Sequence, residues 1–196
     1  MKPQVKKTQV LPLKVHPLTP QRWADFERLF GPRGAYGGCW CMYWRLTRSE
    51  FTKGQGEGNR LAMRSLVRSG RVPGVLAYLG KEPVGWCSVA PRVDFPSLER
   101  SRVLKRLDDR PVWSIVCFFI ARGHRGVGVG EDLIRGALRY AKSRGAEIVE
   151  AYPTAPRGKE LAPVSSYMGT PAMFKRAGFV ECARPSPSKV MMRHTL

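Results

Sequence analysis

The sequence is poor in acidic residues and in histidine, and it has no long apolar run. Its longest apolar stretch, near residues 112–121, is too short to cross a bilayer, and its lysine-rich start lacks the apolar core of a secretory signal. We therefore expect a cytoplasmic protein with no membrane contact. The chain has three histidines, two of them (His16 and His194) near its ends, and no regular Cys/His spacing, so we expect no metal.

The five cysteines are odd in number and follow no disulfide framework, which favours reduced thiols. Cys39 and Cys41 form a lone Cys-x-Cys pair without the second pair that a zinc site requires. Cys117 lies in an apolar run with no basic partner evident nearby, so we expect a core cysteine there in preference to a reactive one.

Charge is the unusual bulk property of the chain. The 34 basic residues against 15 acidic ones give a net charge of +19 and a sequence pI near 10.4. A nucleotide-sized ligand needs only a few of these cations. Two explanations for the surplus of positive charge remain open. One is a solubilising basic surface, and the other is a substrate (an acceptor molecule) that is anionic or attached to RNA. The scatter of the basic residues along the chain favours the first.

Length and composition predict one folded domain. The 196 residues are 43% hydrophobic and 25% charged, which is ordinary for a globular protein. We divide the chain into a basic N-terminal tail, residues 1–9, and a single domain, residues 10–196.

The most informative motif is a glycine-rich loop that joins a predicted strand to a predicted helix. Residues 112–120 are rich in β-branched and aromatic side chains and predict a buried strand. Residues 131–144 carry apolar side chains at helical spacing and end before Gly145, which predicts a helix. Between them lies the sequence Arg125-Gly126-Val127-Gly128-Val129-Gly130.

This loop has the chemistry of a phosphate-binding site. Glycine lacks the Cβ that would block an anion and tolerates positive φ, so several backbone N–H groups can converge on one phosphate, and the helix N-terminus adds unpaired donors. The spacing fits neither the dinucleotide fingerprint nor the P-loop. The plainer alternative is a turn that merely connects strand and helix, but three alternating glycines after an arginine favour ligand binding.

Other segments predict an α/β fold around a mixed sheet. We expect helices from Thr19 to Gly31, over residues 59–69 and after a Thr170 cap, and strands at residues 10–15, 74–79, 84–90, 147–152, 179–182 and 190–193. The polar stretch 91–110 predicts an irregular or partly helical connector.

The loop resembles the acyl-CoA site of the GNAT superfamily of N-acetyltransferases, in which Arg/Gln-x-x-Gly-x-Gly/Ala follows a central strand. Arg125, Gly128 and Gly130 match this pattern in register, and the element order is similar over most of residues 10–193. The resemblance implies a single GNAT-like α/β domain (α+β by some schemes) with a mixed central sheet of about six to seven strands and flanking helices. It also implies acetyl-CoA as co-substrate and an amine acceptor.

The same resemblance implies direct attack of the amine on the thioester. Backbone N–H groups around Phe119 and Ile120 would polarise the acetyl carbonyl. Many members place a proton-donating tyrosine where this chain has Phe174, so Tyr167 is our candidate acid, with simple packing an equal alternative. Glu150 is the candidate base.

The region between the first two helices commonly covers the acceptor in this superfamily. Here it contains Trp40, Tyr43, Trp44 and Arg45, which we interpret as an acceptor wall, with core packing as the alternative. Two other functions stay open: a noncatalytic acyl-CoA sensor and a basic RNA-binding module. The sequence does not determine the acceptor, the length of the acyl group or the oligomeric state. A homodimer is one of the open oligomeric states.

Overall fold

The computed structural model describes residues 13–155 and 167–196. The predicted basic tail and residues 10–12 of the predicted first strand lie outside the described residues. Within them, a seven-stranded sheet has the order β1-β2-β3-β4-β5-β7-β6, and only the β4–β5 pair is parallel. The strands are β1 Leu13–Pro17, β2 Gly74–Leu79, β3 Glu82–Pro91, β4 Trp113–Ile120, β5 Ile148–Ala151, β6 Val180–Ser186 and β7 Lys189–Thr195.

Six α-helices are present in the described part of the chain. They are α1 Trp23–Phe30, α2 Arg48–Lys53, α3 Glu57–Arg68, α4 Pro96–Glu99, α5 Val129–Ser143 and α6 Pro171–Arg176. Short 3₁₀ turns precede α1 and α4 and follow β4. None of these helices is both long and apolar enough to span a membrane. The predicted mixed sheet with flanking helices is confirmed.

The two faces of the sheet bury different helices because strand side chains alternate between faces. On one face, α5 packs its apolar stripe against β2, β3 and β4, with Leu133, Ile134 and Ala137 fully buried. On the other face, α1 packs Phe26 and Phe30 against Trp86 of β3, and α3 adds Met63 and Val67. A hydrophobic cluster therefore lies on each face of the sheet.

The β4–β5 pair opens part way along its length. Parallel pairing joins only Trp113–Ile115 of β4 to Val149–Ala151 of β5, and β4 then continues to Ile120 paired with β3 but not with β5. The register with β3 skips Val116, because Ser88 faces Cys117 while Val89 faces Ile115. Such a bulge disrupts the ladder and increases the local twist. The bulge thus coincides with the point where the sheet opens and exposes the edge of β4.

Candidate active site

The exposed edge of β4 presents one backbone N–H toward the opening. Phe118 donates its N–H to the Tyr167 carbonyl at 2.6 Å, on the open side, whereas Ala121 donates its N–H to the Val84 carbonyl at 3.0 Å, on the β3 side. Because N–H groups alternate along a strand, Ile120 faces the opening and Phe119 faces β3. Of the two expected oxyanion donors, the geometry therefore places only Ile120 in position.

The glycine loop folds as expected for an anion cradle. Gly126 and Gly128 adopt φ values of 75° and 91°, and a Cβ at either position would meet no atom within 4 Å. Gly128 precedes the first residue of α5, and the first helical hydrogen bonds run from Glu131 and Asp132 to its carbonyl. The N–H groups at the start of the helix are left without intrahelical partners and face solvent or a ligand.

Not every residue of this loop faces the cradle. Gly130 packs under α6, since a Cβ there would lie 2.7 Å from Met173 Sδ and would displace that flexible side chain. Val129 is buried, and Val127 is 72% exposed. Arg125 donates Nε–H to the Ile120 carbonyl at 2.9 Å, which ties the loop to the end of β4.

A cavity of about 950 Å³ lies between this loop and the segment that joins α1 to α3. Its wall is mainly aromatic and includes Ile120, Arg125 and Gly126 at the loop end; the aromatic residues are Phe30, Tyr36, Tyr43, Trp44, Phe51, Phe118, Phe119 and Tyr167. Among the described residues that line it there is no carboxylate and no histidine. The cavity suits an apolar ligand segment that extends from the anion cradle.

Tyr167 lies in this cavity, where its carbonyl already binds the Phe118 N–H. Burial raises the pKa of its phenol well above the usual value, with the charge environment of Cys117 adding to the effect and the Trp44 indole opposing it. The phenol is therefore neutral at physiological pH and has a proton to donate. Phe174 occupies the core, packed against Phe118 and Phe179, and does not line the cavity.

Only two of the four expected acceptor-wall residues reach the cavity. Tyr43 and Trp44 line it, with their rings in edge contact at 5.1 Å. Trp40 is buried against Phe30, and Arg45 is buried over the Phe95 ring, 4.4 Å from its centroid. The predicted acceptor wall is therefore reduced to two side chains, Tyr43 and Trp44, and the other two support it from the core.

The sequence argument missed two wall segments. The glycine-rich turn Gly34–Gly38 contributes Tyr36, and α2 contributes Phe51. A capping box marks the start of α2, because Thr47 accepts the Glu50 N–H while the Glu50 carboxylate accepts the Thr47 N–H. The spacing Thr-x-x-Glu was a readable signal for this helix.

Glu150 is fully buried on β5 at the paired end of the β4–β5 ladder. One carboxylate oxygen accepts from Arg92 at 2.8 Å and Tyr152 at 2.6 Å, and the other accepts from Arg193 at 2.8 Å. Two arginines and a tyrosine therefore occupy this carboxylate, and it does not line the cavity. This geometry assigns Glu150 a structural role and is unsuited to a base that must reach an incoming amine.

Arg92 and Arg193 extend this network to the surface. Arg92 also pairs with Glu99 at 2.6 Å, and Arg193 pairs with Asp108 at 2.6 Å. Both carboxylates lie in the connector after β3, so the ion pairs fix that connector to β5 and β7. Arg193 and Asp108 are 85 residues apart in sequence, so no local pattern predicts their pairing.

The fold and the site together define an acyl-CoA-type transferase architecture: a parallel strand pair that opens, a strand edge with an N–H that faces the opening, and a glycine loop at a helix N-terminus. The model of the acetyltransferase (GNAT) family matches residues 40–159, more than half of the chain. The protein belongs to this family.

Solved structures share the fold at low sequence identity. A GNAT-family acetyltransferase from Streptococcus agalactiae aligns with a TM-score of 0.55 and 12% identity, covering 94% of this chain and 95% of that one. PaiA N-acetyltransferase from Thermoplasma acidophilum, solved in complex with coenzyme A, aligns with a TM-score of 0.53 and 10% identity, covering 94% and 99%. An acetyltransferase from Thermus thermophilus aligns with a TM-score of 0.50 and 20% identity, covering 95% of this chain and 99% of that one.

No curated protein sequence matches the chain. Within the described residues, no group of three or more His, Cys, Asp or Glu side chains is arranged to hold a metal ion.

Proposed function

We propose that the protein is an N-acetyltransferase that moves an acetyl group from acetyl-CoA to a primary amine by direct attack in a ternary complex. The observation that carries this proposal is the continuity of three features: the cradle at Gly126 and Gly128, the Ile120 N–H that faces the opening, and the apolar cavity beyond them. A phosphate group, a thioester carbonyl and an acyl acceptor would follow one another along this path.

The cradle fits the phosphates of coenzyme A. Space for a ligand is open where a Cβ would project from Gly126 or Gly128, and the N-terminus of α5 favours negative charge. Arg125 holds the loop against the end of β4 through the Ile120 carbonyl. In this arrangement the phosphates and the thioester are held in one register.

Ile120 would polarise the acetyl carbonyl. Its N–H faces the opening left by β5, in a cavity whose wall is largely apolar. A fixed backbone donor in a low-dielectric site stabilises the oxyanion of the tetrahedral intermediate without reorganisation. The contribution does not depend on the side chain, which is why it is compatible with an aliphatic residue at this position.

The acceptor must enter as a neutral amine. An alkyl ammonium in water has a pKa of about 10.4, but transfer into an apolar environment disfavours its charged form. Tyr43 and Trp44 supply an aromatic wall for the acceptor, and no described carboxylate lines the cavity to hold a cation there. Desolvation therefore replaces a side-chain base in this proposal, and the proton leaves to water.

Tyr167 would donate a hydrogen bond or a proton to the departing thiolate. Its phenol is neutral because burial raises its pKa, and it lies in the same cavity as Ile120. A thiolate with a pKa of about 8.5 is a tolerable leaving group, so the contribution of this donor is moderate. This assignment accounts for activity without a tyrosine at position 174.

The test is titration of the folded protein with acetyl-CoA by calorimetry at physiological salt, followed by a panel of primary amines assayed by thiol release. We expect saturable one-site binding and faster thiol release with aromatic or weakly basic amines than with polycationic ones. Binding with no thiol release for any amine class would instead support the acyl-CoA sensor. A folded protein that binds no acetyl-CoA would overturn both.

A further inference from the structure

Three of the five cysteines line the same cavity. Cys39 and Cys41 come from the segment after α1, and Cys117 comes from β4, three residues before Ile120. Direct transfer to an amine uses none of these thiols. The expectation that Cys117 is a core residue is therefore only half right, because its side chain packs against the core but also reaches the cavity.

Cys41 has an unusual set of neighbours for an apolar side chain. The Trp86 indole donates Nε1–H to Cys41 Sγ at 3.1 Å from the core side of the cavity wall. Tryptophan can only donate, so the sulfur is the acceptor in this contact. The neighbouring Cys117 thiol has the largest effect in lowering the pKa of Cys41, the Trp86 N–H and the charge of Arg45 add to it, and burial opposes them.

Arg45, four residues further along the chain, is a buried cation. Its guanidinium is nine-tenths buried, donates to the Pro73 carbonyl at 2.9 Å and lies over Phe95, yet it has no carboxylate at ion-pair distance in the described chain. Its Nε lacks a hydrogen-bond acceptor among the described residues. A buried cation requires a compensating anion. The largest favourable charge interaction on Arg45 is with Cys41.

We propose that Cys41 is a covalent acyl-acceptor site: its sulfur, at the cavity wall beside the Trp86 indole, takes the acyl group of a bound thioester when no amine is present. The inference rests on the proposed function, because it needs the thioester in the cavity. It adds an internal acceptor to the amine chemistry and predicts a self-acylated form of the protein.

The reaction is a thioester exchange and balances without a further reagent. The Cys41 thiolate attacks the thioester carbonyl, a new S–C bond forms, the S–C bond to coenzyme A breaks, and coenzyme A leaves as its thiolate. One thioester replaces another, so the equilibrium is set by the ratio of acyl-CoA to free CoA. The acylated side chain then occupies part of the cavity that an acceptor amine would use.

The experiment incubates the full chain with excess acetyl-CoA, without amine, and measures the intact mass followed by peptide mapping. We expect one acetyl group, released by hydroxylamine and mapped to Cys41. The group should be lost in Cys41→Ser and retained in Cys182→Ser, which removes an exposed cysteine outside the cavity. Mapping of the wild type decides the matter even if Cys41→Ser does not fold.

A second variant separates reactivity from packing. Trp86→Phe keeps an aromatic ring, though a smaller one, and removes the donor, so acylation of Cys41 should slow about tenfold at neutral pH, the effect of one hydrogen bond to a charged group. Because the loss lies in the thiolate fraction, the rate should recover as the pH rises. A rate that stays low at all pH values would show a packing effect and would count against the assigned role of the indole.

Separate readouts distinguish this inference from the proposed function. A wild type that binds acetyl-CoA in calorimetry but carries no acyl group on Cys41, or carries it on another cysteine, overturns the inference and leaves the transferase proposal intact. If acetyl-CoA does not bind, S-acetyl-N-acetylcysteamine is the probe; labelling of Cys41 by this small thioester then supports the inference alone, and no labelling overturns it.

Discussion

The two ends of the β4–β5 strand pair differ in their side-chain chemistry: one is charged and paired, and the other is apolar and open. At the paired end, Ser114 faces Glu150, and a buried carboxylate is matched by Arg92 and Arg193. At the open end, the strand edge beyond Val116 meets a cavity with an aromatic wall and no described carboxylate. Charge holds the sheet together where the strands pair, and apolar surface with a free backbone donor is left where they separate.

Burial of an acidic side chain is therefore not sufficient to identify it as a catalytic residue. Glu150 accepts three hydrogen bonds from buried protein groups and lies outside the cavity, so it is poorly placed to bind a substrate. Ile120 carries no functional side chain, yet its N–H faces the opening and no described strand pairs with it on that side. Unsatisfied bonding capacity next to a cavity is the better guide to function.

The largest effect should come from breaking the paired end. In Glu150→Gln an amide N–H must face one of the two arginines, and the pair of buried guanidinium groups loses its shared anion. We expect a loss of about 3–5 kcal/mol in the free energy of unfolding, measured by denaturant titration. The control is Glu181→Gln on β6, whose exposed pair with Arg184 should contribute less than about 1 kcal/mol.

This variant also tests the base hypothesis. Residual folded Glu150→Gln protein should keep its kcat once corrected for the folded fraction. A stable variant with kcat reduced by about 10²-fold would restore Glu150 as a base and contradict the division between the two ends.

The open end can be broken at the cradle. Gly128→Val combines a strained positive φ with a side chain in the ligand path and should weaken acetyl-CoA binding about 100-fold, since it removes charge-assisted hydrogen bonds of about 1.5–3 kcal/mol each. Gly145→Val is the matched control. It has a similar positive φ and the same open surroundings, at the other end of α5. Both variants should lose similar stability, but only the first should lose affinity in calorimetry.

A smaller effect should follow from removal of the proposed proton donor. Tyr167→Phe keeps the ring and loses the phenol, so kcat should fall about tenfold while the KM for acetyl-CoA is unchanged, because water can also protonate a thiolate. Tyr36→Phe, on the exposed rim of the cavity, is the control and should leave kcat unaltered. Equal rates for wild type and Tyr167→Phe would reduce Tyr167 to a packing residue.

The smallest effect concerns acid sensitivity at the paired end. Hydrogen bonds from Arg193, and then Arg110, hold the pKa of Asp108 well below its usual range. The resulting stabilisation is present above the unfolded-state pKa of about 3.9 and is lost as the pH falls below it. Asp108→Asn should therefore lower Tm at neutral pH and flatten the Tm profile below about pH 4. Asp109→Asn, an exposed neighbour, should leave that profile unchanged.

Much of the fold was readable from local pattern. The hairpin β2–β3, the strand-loop-helix unit around the cradle and the Thr170 cap of α6 all lie where the sequence predicted them, to within a few residues. These elements follow from period, capping and glycine placement, which are local properties of the chain. The helix α2 was not predicted, because its apolar content is low and the Thr47–Glu50 capping box is its only strong sequence signal.

The acceptor side of the site was only half predictable for a backbone reason. Trp40 and Cys41 adopt φ values of 42° and 60°, a left-handed stretch that non-glycine residues rarely enter. This stretch breaks the regular periodicity by which neighbouring side chains are assigned to faces. As a result Tyr43 and Trp44 reach the cavity, while Trp40 and Arg45 from the same segment enter the core.

The sequence alone determined the strand, the cradle and the helix that follows it, because glycine at positions 126 and 128 permits a backbone that few other residues can adopt. Tertiary structure alone decided the chemistry around them. Glu150 meets Arg92 across 58 residues, and Cys41 meets Trp86 across 45. Whether a buried acid or thiol is neutralised, activated or merely packed depends on such distant partners, and no local pattern encodes them.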